Sequence, residues 1–379
     1  MTLAALHAGY IRLFDAAPLI VARDLGFAEE ERIDLRLTAA PSWSTLRDML
    51  VFGQIDAAHM LAPVPVAMAL GLGGVATRID AVQVLSMGGT VIGVSRPLAA
   101  RMRKAGHGFD FADATVAGLA LIAAGAAAGG LRIGVPFPFS MQAELLYFWL
   151  GRLGLAAPLA LDIRTVPPPL MAQAMAAGEI DAFCVGEPWG SIAVETGVGE
   201  LLLPGAAIWS GAPEKVLALR HDRAEDHPDL TGRLMRAVWR AGRWLGDPVN
   251  RGTASEILAR PEGINVSAEV LERAFLQRLA ISPQGETRAA PGFQSFFADG
   301  AGYPWRSQAA WIGAQLAARH GLDRGAARDA ARAVFRTDLY RRHLGGTGAE
   351  MPVASDRVEG ALPVGGRFFD GSLFDPFAG

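Results

Sequence analysis

The sequence predicts an α/β protein of two similar lobes, and three observations carry that reading. Strand-like and helix-like runs alternate with short loops from the N-terminus to Arg220. The segment Gly53-Gln-Ile-Asp-Ala57 recurs almost unchanged as Gly178-Glu-Ile-Asp-Ala182. Its two aspartates, Asp56 and Asp181, stand 125 residues apart, a domain-scale spacing. Glycine suits the left-handed end of a helix, and the Ile-Asp-Ala that follows reads as the entry to a strand. Alternating elements of this kind predict largely parallel sheets, which bind ligands at strand ends near helix starts. A chain of 379 residues is long enough for two such lobes.

The elements follow in order. Residues 3–13 form a strand candidate. Asp15-Ala-Ala-Pro18 reads as a helix start, with Asp15 as cap and Pro18 in the first turn, and Gly26 ends that helix. Residues 33–37 alternate as a strand, Ser42-Trp43-Ser44 opens the next helix, and residues 54–61 follow as a strand. Residues 82–94 read as one long strand or a strand pair leaving the first lobe. The uncharged run 114–130, mostly Ala and Gly, is weak as a membrane span and reads as a mobile or packed connection. Residues 132–136 are strand-like, Ser140 caps a helix over 142–153, residues 161–166 form a strand, and Pro167-Pro-Pro169 leads into the helix ending at Gly178. Residues 215–220 form a strand that returns to the first lobe. Beyond His227 the chain is mainly helical, and residues 345–379 wrap as ordered loop. The division expected from this layout is residues 1–92 with 216–379 in lobe 1, and 93–215 in lobe 2.

Composition excludes several classes. Thirty-five basic residues against 38 acidic ones leave a net charge of −3, which is no nucleic-acid surface. One cysteine, Cys184, permits no intrachain disulfide, and in its apolar strand it reads as an inert core thiol. The seven histidines lack metal-ligand spacing, and no Gly-rich phosphate loop of the P-loop or dinucleotide type is present, so neither a cofactor nor a catalytic role is expected. Residues 1–10 contain no Lys or Arg, and Arg12 and Asp15 interrupt the apolar stretch that an export signal needs. The expectation is a cytoplasmic protein; the alternative is a periplasmic one whose export signal has been removed.

Two helix starts mark a candidate anion site. Ser42-Trp43-Ser44 and Ser140-Met141-Gln142 place hydroxyls and free backbone N–H groups where an anion could sit, although ordinary capping accounts for the same serines. Lysine usage adds a third pointer. Of the 35 basic residues only Lys104 and Lys215 are lysine, so a lysine at the presumed crossing between lobes reads as a needed point charge. Pairing with Glu214 or Glu187 at the surface is the bland alternative. His59, Ser140, Glu187 and Trp189 are candidates for the cleft wall, with structural packing as their other reading.

Several segments together carry a family resemblance: Asp15-Ala-Ala-Pro-Leu19, Ser42-Trp-Ser-Thr-Leu-Arg-Asp48, His59-Met-Leu-Ala-Pro63, Asp181-Ala-Phe-Cys-Val-Gly-Glu-Pro-Trp189, Pro213-Glu-Lys215, Tyr303-Pro-Trp305, Phe368-Phe-Asp-Gly371 and Phe374-Asp-Pro376. In this order, over nearly the whole chain, they resemble the nitrate- and bicarbonate-binding solute receptors of the NrtA/CmpA family and their cytoplasmic relative, the nitrate sensor NasS. The resemblance implies a two-lobed, C-clamp fold of the periplasmic-binding-protein type, with a helical C-terminal extension and an oxyanion in the cleft. It places the nitrate-contacting tryptophan on Trp43 and lysine on Lys215. The histidine position falls on Gln142 and the glutamine position on Thr90, so two of the four are changed. Bicarbonate receptors have glutamine at the histidine position and an acidic residue at the lysine position, where it helps hold calcium. Lys215 argues against calcium.

Lys215 can supply charge, while Trp43, Gln142 and Thr90 donate neutral hydrogen bonds, a set suited to a monoanion such as nitrate or nitrite. Two roles follow from the resemblance. One is a cytoplasmic sensor that releases a NasT-like antiterminator regulator on ligand binding; the other is a receptor delivering an anion to an ABC permease. Related enzymes acting on thiamine-precursor pyrimidines rely on signature residues absent from this sequence.

Overall fold

The computed structural model describes residues 3–155, 161–361 and 366–378. In chain order its strands are β1 (Ala4–Tyr10), β2 (Ile33–Ala39), β3 (Ala57–Leu61), β4 (Ile79–Gly88), β5 (Thr90–Ser95), β6 (Arg132–Val135), β7 (Asp162–Thr165), β8 (Ala182–Gly186), β9 (Gly199–Pro204), β10 (Pro213–Arg220), β11 (Arg278–Ala280), β12 (Thr287–Ala289) and β13 (Gln294–Ser295). A six-stranded sheet runs β13-β4-β10-β3-β1-β2, a five-stranded sheet runs β7-β6-β8-β5-β9, and β11 pairs with β12.

The repeated five-residue unit does the same work in both sheets. Gly53 and Gly178 take φ of +70° and +69°, a region strained for any residue with a Cβ. Asp56 N donates to His7 O at 2.8 Å, and Asp56 Oδ2 accepts from His7 N at 2.9 Å. Asp181 N donates to Arg132 O at 2.8 Å, and Asp181 Oδ2 accepts from Arg132 N at 3.1 Å. Each aspartate thereby locks its strand to a parallel neighbour, β3 to β1 and β8 to β6.

The sheets are mixed rather than largely parallel. β10 lies antiparallel between β3 and β4, and β5 lies antiparallel between β8 and β9. These are the strands by which the chain changes sheet, and each enters against the direction of its neighbours. The strand pair expected over residues 82–94 breaks at Gly88 and Gly89, both at positive φ, and its halves fall in different sheets. The return comes between β9 and β10. Boundaries at 92/93 and 215/216 therefore fall inside β5 and β10.

Two local expectations also change. Asp15 does not cap a helix: it lies in a 3-10 turn, Phe14–Ala16, and the helix starts at Ala17. The run 114–130 contains a helix, Ala114–Ala126, whose Asp113 cap accepts from Val116 N at 2.9 Å. Alanine is the strongest helix former, and Ala117, Gly118 and Leu121 bury one face of it.

Beyond Arg220 the described chain is mainly helical, as expected, but it reaches both sheets. Ile281 O accepts from Leu201 N at 2.8 Å, and Glu286 accepts from Arg103 at 2.8 Å, which ties the β11–β12 hairpin to the second lobe. Arg319, on helix Arg306–His320, forks onto the buried carboxylate of Glu144 in the second lobe. Within 345–379, bridges join Trp209 to Phe368 and Glu359 to Phe374; residues 362–365 and 379 lie outside the described residues. Among the described residues no helix is long and apolar enough to cross a membrane.

Candidate functional site: a buried ionic cluster between the sheets

Two capped helices start at the junction of the lobes. Ser42 accepts from Thr45 N at 3.2 Å and opens helix Trp43–Val51. Ser140 accepts from Ala143 N at 3.2 Å and opens helix Met141–Arg152. Trp43 and Gln142 therefore sit in first turns, one from each lobe, and both are buried.

Lys215 is the centre of the cluster. Its Nζ lies 2.7 Å from Asp15 Oδ2 and 2.8 Å from Glu214 Oε1, and 5.6 Å from the centre of the Trp43 ring. His59 Nε2 is 2.8 Å from Asp15 Oδ1, and its ring lies 5.6 Å from that of Trp43. Gln142 Nε2 donates to Glu214 Oε1, so one carboxylate oxygen joins the first lobe to the second. Asp15, His59, Glu214 and Lys215 are each at most 2% exposed.

Neighbouring strand residues ordinarily point to opposite faces. Glu214 and Lys215 reach the same cluster because the pairing of β10 with β4 slips on either side of Lys215. Such a bulge re-aims side chains.

Two carboxylates contend for one ammonium, and their other partners decide between them. Burial pushes the Glu214 carboxyl up, and Asp15 adds to this against the pull of Lys215 and Gln142. Burial also opposes ionisation of Asp15, but Lys215 and His59 outweigh it and hold Asp15 below the ordinary carboxylate range. Burial disfavours the Lys215 ammonium, and the two carboxylates overcome that. Burial, helped by Lys215, holds His59 below its usual value despite Asp15. The resulting set is an Asp15–Lys215 ion pair, a histidine biased to neutrality, and a glutamate biased toward its protonated form.

Asp15 Oδ2 meets only the Lys215 ammonium, as an ion pair at 2.7 Å, and four further atoms of the cluster stay unpaired among the described residues: Trp43 Nε1, His59 Nδ1, Gln142 Oε1 and Glu214 Oε2. A buried polar atom without a partner costs about 1–3 kcal/mol. All four lie in one connected cluster.

The other expected residues stand around it. Thr90, the first residue of β5, has Oγ1 3.7 Å from Cys184 Sγ, and Glu214 and Lys215 both act electrostatically on that thiol. Burial pushes the Cys184 thiol well up, consistent with an inert side chain. Ser140 spends its hydroxyl on Ala143 N and Phe137 O, at 2.7 Å for the latter, so it caps a helix and does not face the cluster. Trp189 Nε1 donates to Arg12 O at 2.8 Å and packs lobe to lobe. Glu187 lies at the same seam, where Phe14 N donates to its carbonyl at 2.8 Å. Its carboxyl is buried, with Oε1 unpaired, and burial pushes its pKa up to about 7. Lys215 pairs with Glu214, not Glu187, and it does so in the interior rather than at the surface.

Sequence reasoning missed Asp15 and Glu214 as cluster members. Asp15 carried a good capping signal, and Glu214 should have faced away from Lys215 on a regular strand. The usable signal was the acidic neighbour of an isolated lysine. Ser86, register-opposite Lys215 on β4 with an unpaired buried hydroxyl, was also missed. Among the described residues no group of three or more His, Cys, Asp or Glu is placed to hold a metal. Between Asp15 and Glu214, where a cation would fit, the lysine ammonium already sits.

The NMT1-like family model matches residues 2–259. The chain belongs to the NMT1-like family. Its homologues include the nitrate/nitrite binding protein NrtA and the bicarbonate-binding protein CmpA. The nitrate/nitrite binding protein NrtA of Nostoc sp. is 29% identical over 97% of this chain and 82% of its own length. The nitrate import ATP-binding protein NrtC of Synechocystis sp. is 32% identical over 82% of this chain and 45% of its own. The chain thus spans about half the length of the NrtC relatives it matches. The crystal structure of periplasmic nitrate-binding NrtA from Synechocystis PCC 6803 superposes with a TM-score of 0.86, at 26% identity, covering 99% of this chain and 96% of that one. The NMT1-like chain has the two-lobed α/β periplasmic-binding-protein fold, with helices through its C-terminal part.

Proposed function

We propose that this chain is the receptor for a small oxyanion, nitrate or nitrite first, in an ABC-type import system. The observation that carries this reading is the buried Lys215 cluster, in which Trp43 from one lobe presents an unpaired N–H donor and Gln142 from the other brings its amide N–H group to the same ionic centre. The contact residues we assign are Trp43, Thr90, Gln142 and Lys215. The Asp15–Lys215 pair is locally neutral, so a monoanion adds a single negative charge where a dianion would add two. Trp43 Nε1–H and the one remaining Lys215 N–H donate to it, and the second N–H of Gln142 Nε2 offers a third donor.

Similarity to a nitrate/nitrite binding protein and to part of a nitrate import ATP-binding protein supports import over sensing. This reading places the protein outside the cytoplasmic membrane, in place of the cytoplasm expected from the N-terminal residues. Each lobe contributes part of the anion's contacts, so ligand favours the closed arrangement by its differential affinity.

Calorimetry with nitrate, nitrite and bicarbonate, each with and without calcium, tests the reading. Nitrate or nitrite should bind with no calcium requirement. Binding of bicarbonate alone, strictly with calcium, would overturn it. Capture of a NasT-like regulator that nitrate releases would replace the import role with the sensor role.

A further inference from the structure

One unpaired atom of the cluster, Glu214 Oε2, does not match an anion such as nitrate. Nitrate only accepts hydrogen bonds. Yet Glu214 Oε2 is an acceptor when ionised, and it is buried and unpaired beside the cluster. Glu214 Oε1 already receives Gln142 and Lys215. The charge count points the same way. Asp15, Glu214 and a bound monoanion would bring three negative charges against the one ammonium of Lys215.

We infer that the cleft binds its anion together with one proton, and that Glu214 carries it. The inference rests on the anion-receptor reading above. The proton comes from solvent and forms an O–H bond on Glu214 Oε2. That O–H turns an unpaired acceptor into a donor to an anion oxygen, and the proton returns to solvent when the anion leaves. Bound charge falls by one unit, and no other atom changes hands.

The groups facing Glu214 are Lys215 on its own strand, Asp15 from the 3-10 turn, Gln142 from the second-lobe helix, and the neutral Cys184 thiol of β8. His59 bonds to the far oxygen of Asp15, so it buffers Asp15 rather than Glu214. The burial that lifts the Glu214 carboxyl lowers the cost of this protonation. Glu214 would thereby set specificity. Anions that only accept need the proton, whereas an anion with its own O–H can donate to ionised Glu214.

The test is calorimetry of the full chain with sodium nitrate and sodium nitrite between about pH 6 and about pH 9, in two buffers of different ionisation enthalpy. Above the titration of free Glu214, close to one proton should be taken up per anion, and affinity should fall about tenfold per pH unit. Glu214→Gln, which keeps shape and supplies an N–H donor, should bind with no proton uptake and a flat pH profile; His59→Gln should keep the slope. Binding by the parent chain with no proton uptake and a flat profile overturns the inference and leaves the receptor reading standing. A slope that survives in Glu214→Gln, or vanishes only in His59→Gln, overturns Glu214 as the carrier. No binding of either anion at any pH by the folded parent chain overturns the receptor reading, and this inference with it.

Discussion

The two lobes share a five-residue solution and then part company two residues later. In both, a left-handed glycine ends a helix and an aspartate ties the next strand to its parallel neighbour. Both aspartates also hold an arginine: Asp56 takes Arg223 at 3.0 Å, and Asp181 takes Arg132 at 2.7 Å. Three positions on, the first lobe carries His59, hydrogen-bonded into the ionic cluster, while the second carries Cys184, a buried thiol beside Thr90. The difference extends across the junction. Asp15, His59, Glu214 and Lys215 all belong to the first lobe, and Thr90, Gln142 and Cys184 to the second. One lobe holds the charged groups, with Lys215 between Asp15 and Glu214; the other brings neutral side chains.

The comparison can be broken most severely at Lys215. Lys215→Met leaves Asp15 and Glu214 buried without a cation, which should cost about 3–5 kcal/mol in urea unfolding and abolish anion binding by calorimetry. Adding Asp15→Asn should recover part of the stability and none of the binding. Retained binding in the single variant would move the anion site away from the charged lobe.

The next effect tests whether the second lobe is as neutral at the seam as the cluster suggests. Glu187 has a carboxyl pKa raised from 4.5 to about 7. A carboxyl raised in the folded state binds its proton more tightly there than in the unfolded chain. Its contribution is complete below about pH 4.5 and is lost as pH rises through about 7, about 3 kcal/mol in all. Glu187→Gln should remove that decline from the stability–pH curve measured by thermal and urea unfolding. An unchanged curve would show that the carboxyl is hydrated.

Asp56→Ala and Asp181→Ala test the likeness itself. Each deletes the acceptor for a backbone N–H and an arginine partner, and each should cost about 1–3 kcal/mol. Unfolding energies that differ by more than the whole of that range would show the repeat to be one of sequence only.

Gln142→Leu addresses the neutral side. It removes a second-lobe hydrogen bond to Glu214 without touching charge, and it should weaken nitrate about tenfold, about 1.4 kcal/mol. Cys184→Ala should do least, below about 1.5 kcal/mol in stability with unaltered binding, and the native thiol should resist alkylation. A large binding loss there would make the thiol position the counterpart of His59 in function as well as in place.

Much of this was legible in the residues. The repeated Gly-x-Ile-Asp-Ala unit announced two like lobes, because a left-handed glycine and a strand-leading aspartate are local requirements. Ser42 and Ser140 announced their helices for the same reason, since a cap needs only its own first turn. The lysine that stood out for its rarity lies at the centre of the cluster. What the sequence could not determine depends on neighbours distant along the chain. Asp15 looked like a cap until His59 and Lys215, brought from β3 and β10, claimed its carboxylate. Glu214 looked like the outward neighbour of an inward lysine until a slip in pairing with β4 turned both inward. The parallel sheets expected from alternating elements became mixed because the strands at the two crossings, β5 and β10, entered between strands of opposite direction. Capping, turns and periodicity are short-range and survive in one dimension. Register, crossing direction and the division of one ammonium between two buried carboxylates are settled only by which strands lie side by side, so only the tertiary structure decided them.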